Sequence, residues 1–233
     1  MKIDPQLKGW AKDIAEVILT LVVIILVSGA LLGAKMLIPL VAVTSESMLH
    51  KSDAWRSWLL AENVSKSTVD AFPLQGGFAM GDMIVTISPN KGGTIHGLFS
   101  DTSLGDVIIY NRDRLHTPGQ PPIIHRIVGI VEVKDWNITS VSGTLDCLTE
   151  DDFRSTYIPN IRGCVSGQQC PYASYPSSGD FRFYVTKGDN NPRSDQCINI
   201  ALPVTDAQLT ARGWVVIPYV GWLKLILNMF IPL

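Results

Sequence analysis

The stretch IIHRIVGIVEV, residues 123–133, decides the fold of this chain. Its β-branched apolar residues are typical of a strand buried within a sheet. Similar runs occur at MIVTI (Met83–Ile87), DVIIYN (106–111) and FRFYVTK (Phe181–Lys187). Apolar and polar residues alternate in the last run, which predicts a strand with one face in solvent. Gly, Pro, Asn and Asp separate the runs, so the pattern predicts a mainly β domain.

The most hydrophobic part of the chain is VILTLVVIILVSGALLGA, residues 17–34, which contains no charged residue. A helix needs about 20 apolar residues to cross the hydrocarbon core of a bilayer. A cleaved signal peptide is the alternative, but the run is long for one and residues 35–39 make a poor cleavage site. We therefore predict an uncleaved transmembrane anchor at residues 14–34.

The charges that flank the anchor predict its orientation. Lys2, Lys8 and Lys12 precede it, and cations beside a first span stay in the cytoplasm. Residues 1–13 are therefore predicted to be a cytoplasmic tail, and residues 35–213 a domain outside a cell membrane or an endoplasmic-reticulum-type membrane. With a net charge of −2 and no basic stripe, the chain is not expected to bind nucleic acid.

Three segments differ from the β pattern. Residues 51–70 have apolar residues at helix-like spacing in part. Residues 134–180 hold three of the four cysteines and many Ser, Gly and Pro, which predicts a disulfide-tied insertion between two strands. Residues 214–233 are apolar but are interrupted by Pro218, Lys224 and Asn228. They are interpreted either as a second transmembrane segment or as a membrane-associated segment.

The cysteines are Cys147, Cys164, Cys170 and Cys197. Their even number suits disulfides in an oxidising compartment, so we expect all four to be paired, with Cys197 tying the insertion to the polar loop before it. Three pairings remain open. No C-x-x-C pair occurs, which disfavours zinc, and no metal or cofactor is expected. The glycosylation sequons at Asn63 and Asn137 agree with an exported domain.

Two serines, Ser45 and Ser47, lie a few residues beyond the anchor. Serine is a poor nucleophile until a neighbouring base takes its proton. The candidate bases are the four histidines: His50, His96, His116 and His125. His96 and His116 are interpreted as exposed loop residues, and the closeness of His50 to Ser47 in sequence does not establish geometry. His125 interrupts an apolar strand, where it is either a core residue with a polar partner or part of a site.

The candidate acids lie in TKGDNNPRSDQ, residues 186–196, directly after a strand. Asp189 and Asp195 are six residues apart in this loop. A polar turn is the simpler interpretation, because Gly, Asn and Asp dominate turns for backbone reasons. Serine, histidine and aspartate form a catalytic triad only if the fold joins them.

Five motifs occur in order along the chain: SESM (45–48), GDVIIY (105–110), PPIIHRIVGI (121–130), KGDNN (187–191) and IPYVGW (217–222). Together they closely resemble the motif boxes of type I signal peptidases, and more narrowly the archaeal and endoplasmic-reticulum branch. The resemblance runs from the anchor to Trp222, except for divergent stretches at about 50–80 and 134–180. Unlike many members, the chain has no proline soon after Met48.

The resemblance implies a β-rich, signal-peptidase-like catalytic domain that cuts signal peptides from preproteins at the membrane surface. Bacterial members use lysine at the position of His125. By motif, Ser47 is implied as nucleophile, His125 as general base and Asp195 as its orienting carboxylate. The Ser47 N–H and the Ser45 hydroxyl are the implied oxyanion donors, with Asp189 as a supporting neighbour that caps the turn. Implied partners are signal peptides, the lipid bilayer and the protein translocation machinery.

Two alternatives accompany this hypothesis. The first is a specialised relative that processes only a few surface proteins. The second is a catalytically inactive, membrane-anchored binding domain that keeps the motifs as relics. The presence of Ser47, His125 and Asp195 together argues against the second alternative.

Overall fold

The computed structural model describes residues 5–33, 38–90 and 99–230, and it confirms a mainly β fold. The strands in this part of the chain are β1 (Leu40–Ala42), β2 (Met83–Ile87), β3 (Val107–Tyr110), β4 (Ile123–Lys134), β5 (Asn137–Gly143), β6 (Phe181–Lys187), β7 (Val204–Thr205) and β8 (Leu209–Ile217). The α-helices are α1 (Pro5–Leu32), α2 (Ala54–Ala61), α3 (Lys66–Asp70), α4 (Glu150–Asp152), α5 (Ile158–Val165) and α6 (Gly221–Phe230). A π-helical turn at Phe153–Tyr157 joins α4 to α5, and a 3₁₀ turn at Asp206–Gln208 joins β7 to β8.

The strands form one antiparallel sheet in the order β1–β2–β8–β3–β4–β6–β7, and β5 pairs with β4 beside this path. The four strands predicted from the sequence are present. Those at Met83–Ile87 and Phe181–Lys187 match to the residue. The strand predicted at 106–111 is one residue shorter at each end, and the one predicted at 123–133 extends one residue further.

Strand β4 organises the sheet. Its first residues pair with β3, its later residues pair with β5, and β6 runs along its other side. Val131 packs into a cluster with Phe183 and the helical segments, while Ile127 packs into a second cluster with Tyr184. Each such buried side chain contributes roughly 1.5–3 kcal/mol relative to its exposed state. Burial on both faces therefore fixes the strand that carries His125 and Arg126.

Strand β6 does not have the solvent-exposed face that its alternating pattern predicts. Tyr184 and Thr186 on that face are fully buried. Tyr184 packs with Ile108 and Tyr110 of β3, and the Thr186 hydroxyl hydrogen-bonds to Asp195. The alternation failed as a guide because the polar residues of β6 face a buried polar network rather than water.

The insertion at 134–180 lies between two paired strands, β4 and β6, as predicted. It holds the hairpin strand β5 and the helical segment α4–α5. All four cysteines are paired: Cys164–Cys170 closes a loop within the insertion, and Cys147–Cys197 ties the insertion to the loop that carries Asp195. The expected role of Cys197 as a tether is therefore present in the fold.

Helix α1 contains one segment, Lys12–Leu32, that is long and apolar enough to cross a membrane. None of it is buried inside the protein, and by length and composition it fits a membrane span or a signal sequence. The helix begins at Pro5, within the predicted tail of residues 1–13. At its other end the Leu32 carbonyl accepts a hydrogen bond from the Ser88 N–H, just past β2. Lys2, His96 and residues 34–37 of the sequence predictions lie outside the described residues.

The C-terminal segment is divided differently from the predicted boundary at residue 214. Strand β8 continues to Ile217, because residues 215–217 pair with β2. Helix α6 then has ten residues and rises about 15 Å, half of the hydrocarbon core of a bilayer. Its apolar side chains at Leu223 and Met229 are exposed. Within residues 214–230 no helix is long enough to cross a membrane.

Candidate active site

The loop after β1 carries Ser47 and is held at both ends. The Val43 N–H donates to Asp82 O at 2.9 Å, and the Phe78 N–H donates to Met48 O at 3.0 Å. The Met48 side chain is fully buried against Phe78 and Val43, while Ser47 stays half-buried. The anchored methionine therefore fixes the loop and leaves the serine hydroxyl accessible.

The three residues expected to form a triad meet in the structure. His125 Nε2 lies 2.9 Å from Ser47 Oγ, and His125 Nδ1 lies 2.7 Å from Asp195 Oδ2. His125 and Asp195 are buried, at 5% and 0% exposure. With Nδ1 protonated and donating to the carboxylate, Nε2 can accept the serine proton. This chain of hydrogen bonds is the arrangement that activates a serine nucleophile.

Two hydroxyl groups that sequence reasoning did not single out hold Asp195. Tyr110 Oη donates to Asp195 Oδ2 at 2.9 Å, and Thr186 Oγ1 donates to the same oxygen at 2.7 Å. Burial raises the pKa of Tyr110 well above its ordinary value, and the charge of Asp195 raises it further, so the phenol remains a donor. Asp195 Oδ1 is buried without a hydrogen-bond partner among the described residues. Oδ2 therefore carries the whole network.

Ser45 lies beside the nucleophile candidate. Its Oγ is 3.1 Å from Ser47 Oγ, and its side chain is exposed. The Ser47 N–H makes no hydrogen bond within the described part of the chain. Both groups can thus donate a hydrogen bond to an oxygen atom of a molecule bound next to Ser47 Oγ.

Asp189 occupies a separate buried site and does not bind His125. Arg126 donates to both of its carboxylate oxygens, at 2.7 to 3.2 Å, and His50 Nε2 lies 2.7 Å from Oδ2. Burial acts to raise the pKa of Asp189, but the hydrogen bond with His50 and the charge of Arg126 outweigh it, and the pKa is lowered. The expected backbone turn cap is therefore replaced by a side-chain ion pair. The reason is that Arg126 points from β4 directly at this carboxylate.

Residues 188–190 pack against the serine loop. The Asn190 N–H donates to Ser47 O at 2.8 Å, and the Asp189 N–H lies 3.4 Å from Met48 Sδ. A Cβ atom on Gly188 would come within 2.9 Å of both His125 Nε2 and Ser47 O. Only glycine fits at this point without displacing one of the two groups.

The other histidines have separate partners. His50 stacks on Trp55 with ring centroids 4.7 Å apart and binds Asp189, so its closeness to Ser47 in sequence does not make it a base for that residue. His116 is half-buried beside Asp113, with Nδ1 at 3.0 Å from the carboxylate, so it is less exposed than predicted. His96 lies outside the described residues.

A mostly apolar pocket of about 330 Å³ is lined by residues of β1, β3, β8 and α6 and by the prolines before β4. Thr44, three residues before Ser47, and Ile124, next to His125 in sequence, also line it, whereas Ser47 and His125 themselves do not. Lys224 of α6 adds one charged side chain to its walls. Within the described residues, no group of three or more His, Cys, Asp or Glu side chains is placed to hold a metal ion.

No protein-family model matches this chain, and no curated protein matches it. The likeness to signal peptidases therefore depends on the five ordered motifs alone.

Proposed function

We propose that this protein is a membrane-bound serine endopeptidase that cleaves signal peptides from preproteins at the extracytoplasmic membrane surface. The observation that carries the proposal is the hydrogen-bond chain from Ser47 Oγ through His125 to Asp195, with steps of 2.9 and 2.7 Å. These residues come from three distant parts of the sequence, and two of them are buried. Such an arrangement supports nucleophilic catalysis better than it supports a binding domain.

In the first step, His125 Nε2 takes the proton of Ser47 as Oγ attacks the carbonyl carbon of the scissile peptide bond. Asp195 keeps Nδ1 protonated and stabilises the imidazolium that forms. The same proton then passes to the leaving amine as the C–N bond breaks, which leaves an ester on Ser47. A water molecule, deprotonated by His125, hydrolyses the ester and restores the serine.

The negative charge on the carbonyl oxygen in the tetrahedral intermediate needs donors. The Ser47 N–H, which makes no other hydrogen bond in the described chain, and the Ser45 hydroxyl, 3.1 Å from Ser47 Oγ, are the groups we assign to it. A single donor of this kind is worth about 10²–10³ in turnover when it is a backbone or amide group in a closed site. Ser45 is exposed and able to rotate, so its share is expected at the lower end.

The pocket and the helix support the proposed substrate class. The pocket lined by Thr44 and Ile124 is mostly apolar, which suits apolar side chains in the segment before the scissile bond. Helix α1 ends at Leu32, fifteen residues before Ser47, and its apolar surface is exposed. If α1 spans the bilayer, Ser47 lies near the membrane surface, where a membrane-held signal peptide presents its cleavage site.

Cleavage of a preprotein by the full-length protein in detergent tests this proposal. The wild type is expected to release the signal peptide at one bond, and Ser47→Ala is expected to release none while keeping the wild-type melting temperature. Ser52→Ala, which changes an exposed serine in the same loop, is the matched control and should cleave normally. Wild-type cleavage by Ser47→Ala, or no cleavage of any preprotein by the wild type, would contradict the proposed function.

A further inference from the structure

Lys187 is a buried cation that the mechanism above does not use. It is the last residue of β6, it is 3% exposed, and it is paired across the strands with Arg126. Two like charges directly opposite each other in a sheet are destabilising, and a buried lysine also loses its hydration. Burial accordingly lowers the pKa of Lys187, against the opposing attraction of Asp189 and Asp195. Because burying this ammonium is costly, its position indicates a role at the site.

The ammonium holds two consecutive carbonyl groups of the loop after β6. Lys187 Nζ donates to Gly188 O at 3.1 Å and to Asp189 O at 3.3 Å. The N–H groups of the same turn face the serine loop, since Asn190 N–H donates to Ser47 O at 2.8 Å. A Cβ atom on Gly188 would come within 2.9 Å of both Ser47 O and His125 Nε2, so the turn lies close to both residues. Lys187 thus holds the turn that packs against the nucleophile and its base.

Helix α2, in the divergent stretch of about 50–80, covers both buried cations with aromatic rings. The Trp58 ring lies over Lys187 Nζ at 4.8 Å from its centroid. The Trp55 ring lies over the Arg126 guanidinium at 5.0 Å. A cation over an aromatic face is attracted by the ring, and more strongly where both groups are desolvated. The two tryptophans, three residues apart on one face of α2, stabilise the two cations without neutralising them.

We propose that Lys187 is a positioning residue for the Ser47–His125 pair, and that α2 secures it there through Trp58. This inference rests on the proposed function. Lys187 fixes the turn 188–190 by its two carbonyl contacts, and this turn sets the approach of Ser47 to His125.

Several charged and polar groups surround Lys187 and His125. Those that act on Lys187 are Asp189, Asp195, Asp146 and Arg126. Those in contact with His125 or its acid are Asp195, Ser47 and Tyr110. His50 joins the network through Asp189. Lys187→Met removes both the charge and the two carbonyl contacts, whereas Lys187→Arg keeps a cationic donor.

The test uses the full-length protein in detergent and compares Lys187→Met, Lys187→Arg and Trp58→Leu with the wild type. Lys134→Met, the same change at the exposed far end of β4, is the matched control. For Lys187→Met we expect kcat to fall about 10- to 100-fold with KM unchanged within about twofold, because small misplacements of reacting groups act on turnover. Lys187→Arg, which keeps a cationic donor at this position, should recover most of the lost turnover.

The outcomes separate this inference from the proposed function. A folded Lys187→Met with wild-type kcat would overturn the inference, provided that Ser47→Ala in the same assay is inactive. Active Ser47→Ala would overturn the proposed function instead. If Lys187→Met does not fold, Trp58→Leu decides: a reduced kcat with KM unchanged within about twofold supports the inference, and a wild-type kcat overturns it.

Discussion

Two aspartates six residues apart in one loop occupy buried sites of opposite character. Asp195 receives two hydroxyl donors and the Nδ1 side of His125, and none of these donors carries a permanent charge. Asp189 receives a guanidinium from Arg126 and a second histidine, His50. The two carboxylates of this loop therefore have different roles. A carboxylate whose charge is already compensated by a permanent cation stabilises an imidazolium less. A carboxylate held by neutral hydroxyl groups keeps its negative charge available to stabilise the imidazolium.

Of the changes at these two sites, loss of the Asp195 charge is expected to lower turnover most. Asp195→Asn keeps the shape of the side chain but removes the charge that holds His125 Nδ1 protonated. We expect turnover to fall by about 10³–10⁴, as it does when the tautomer of a catalytic histidine is misplaced. Preprotein cleavage rates for folded protein are the measurement. Less than a tenfold loss would show that Asp195 does not orient the base.

The same substitution at the second site should have the opposite profile. Asp189→Asn leaves the buried Arg126 without its charged partner, although the guanidinium keeps its bonds to the carbonyls of Pro73, Leu74 and Gly105. We expect a loss of about 3–5 kcal/mol in the free energy of unfolding and a smaller loss of activity than for Asp195→Asn. Melting temperature and turnover, measured on both variants, separate the two roles. A well-folded but inactive Asp189→Asn beside a nearly normal Asp195→Asn would reverse the assignment.

Loss of one hydroxyl donor to Asp195 is expected to have a smaller effect on turnover. Tyr110→Phe removes one of the two hydroxyl donors to Asp195 Oδ2 and leaves Thr186 in place. We expect turnover to fall by about tenfold, the cost of one hydrogen bond to a charged group, which is about 1.5 kcal/mol. Tyr184→Phe on β6 is a matched control, because its hydroxyl bonds to Asp206 rather than to the triad. Equal losses of turnover in the two variants would argue against a specific role for Tyr110.

The smallest expected effect concerns acid stability at the second site. The pKa of Asp189 is lowered in the folded protein, because the hydrogen bond with His50 and the charge of Arg126 outweigh burial. A lowered folded pKa contributes stability above the ordinary aspartate value of about 3.9 and loses it as pH falls through the folded pKa. The stability difference between wild type and Asp189→Asn should therefore be constant near neutral pH and narrow below about pH 4. Urea unfolding at several pH values measures it, and a difference that widens in acid would contradict the sign.

The sequence predicted the strands that bury a continuous apolar run. The limits of β2 and β6 are clear because a Gly-Asp pair precedes each strand, and Pro89 or Gly188 follows within two residues. Strand β5 has no such signal: NITSVSG is polar and its side chains are mostly exposed, so only its pairing with β4 makes it a strand. The insertion was predicted through its cysteines and not through its hydrophobic pattern.

The candidate site was predicted in part for a similar reason. Ser47, His125 and Asp195 each stand out from their surroundings or lie in an ordered motif. Tyr110 ends the GDVIIY motif and Thr186 lies outside the five motifs, and neither shows its role in the sequence. Each has the pattern of an ordinary strand residue until the register of β3, β4 and β6 brings it to Asp195. The two acids were told apart by motif order, yet the physical reason for the difference lies in Arg126, whose direction only the fold establishes.

The central claim is that Ser47 and His125 act as one catalytic unit. Preprotein turnover by Ser47→Ala, His125→Ala and the double variant, all checked for wild-type melting temperature, tests it most directly. Residues that act as a unit are strongly non-additive, so removing either one should cost as much as removing both. We predict that all three variants lose turnover by the same factor, on the order of 10³ or more. Independent losses that multiply in the double variant, or full activity in either single variant, would contradict the claim.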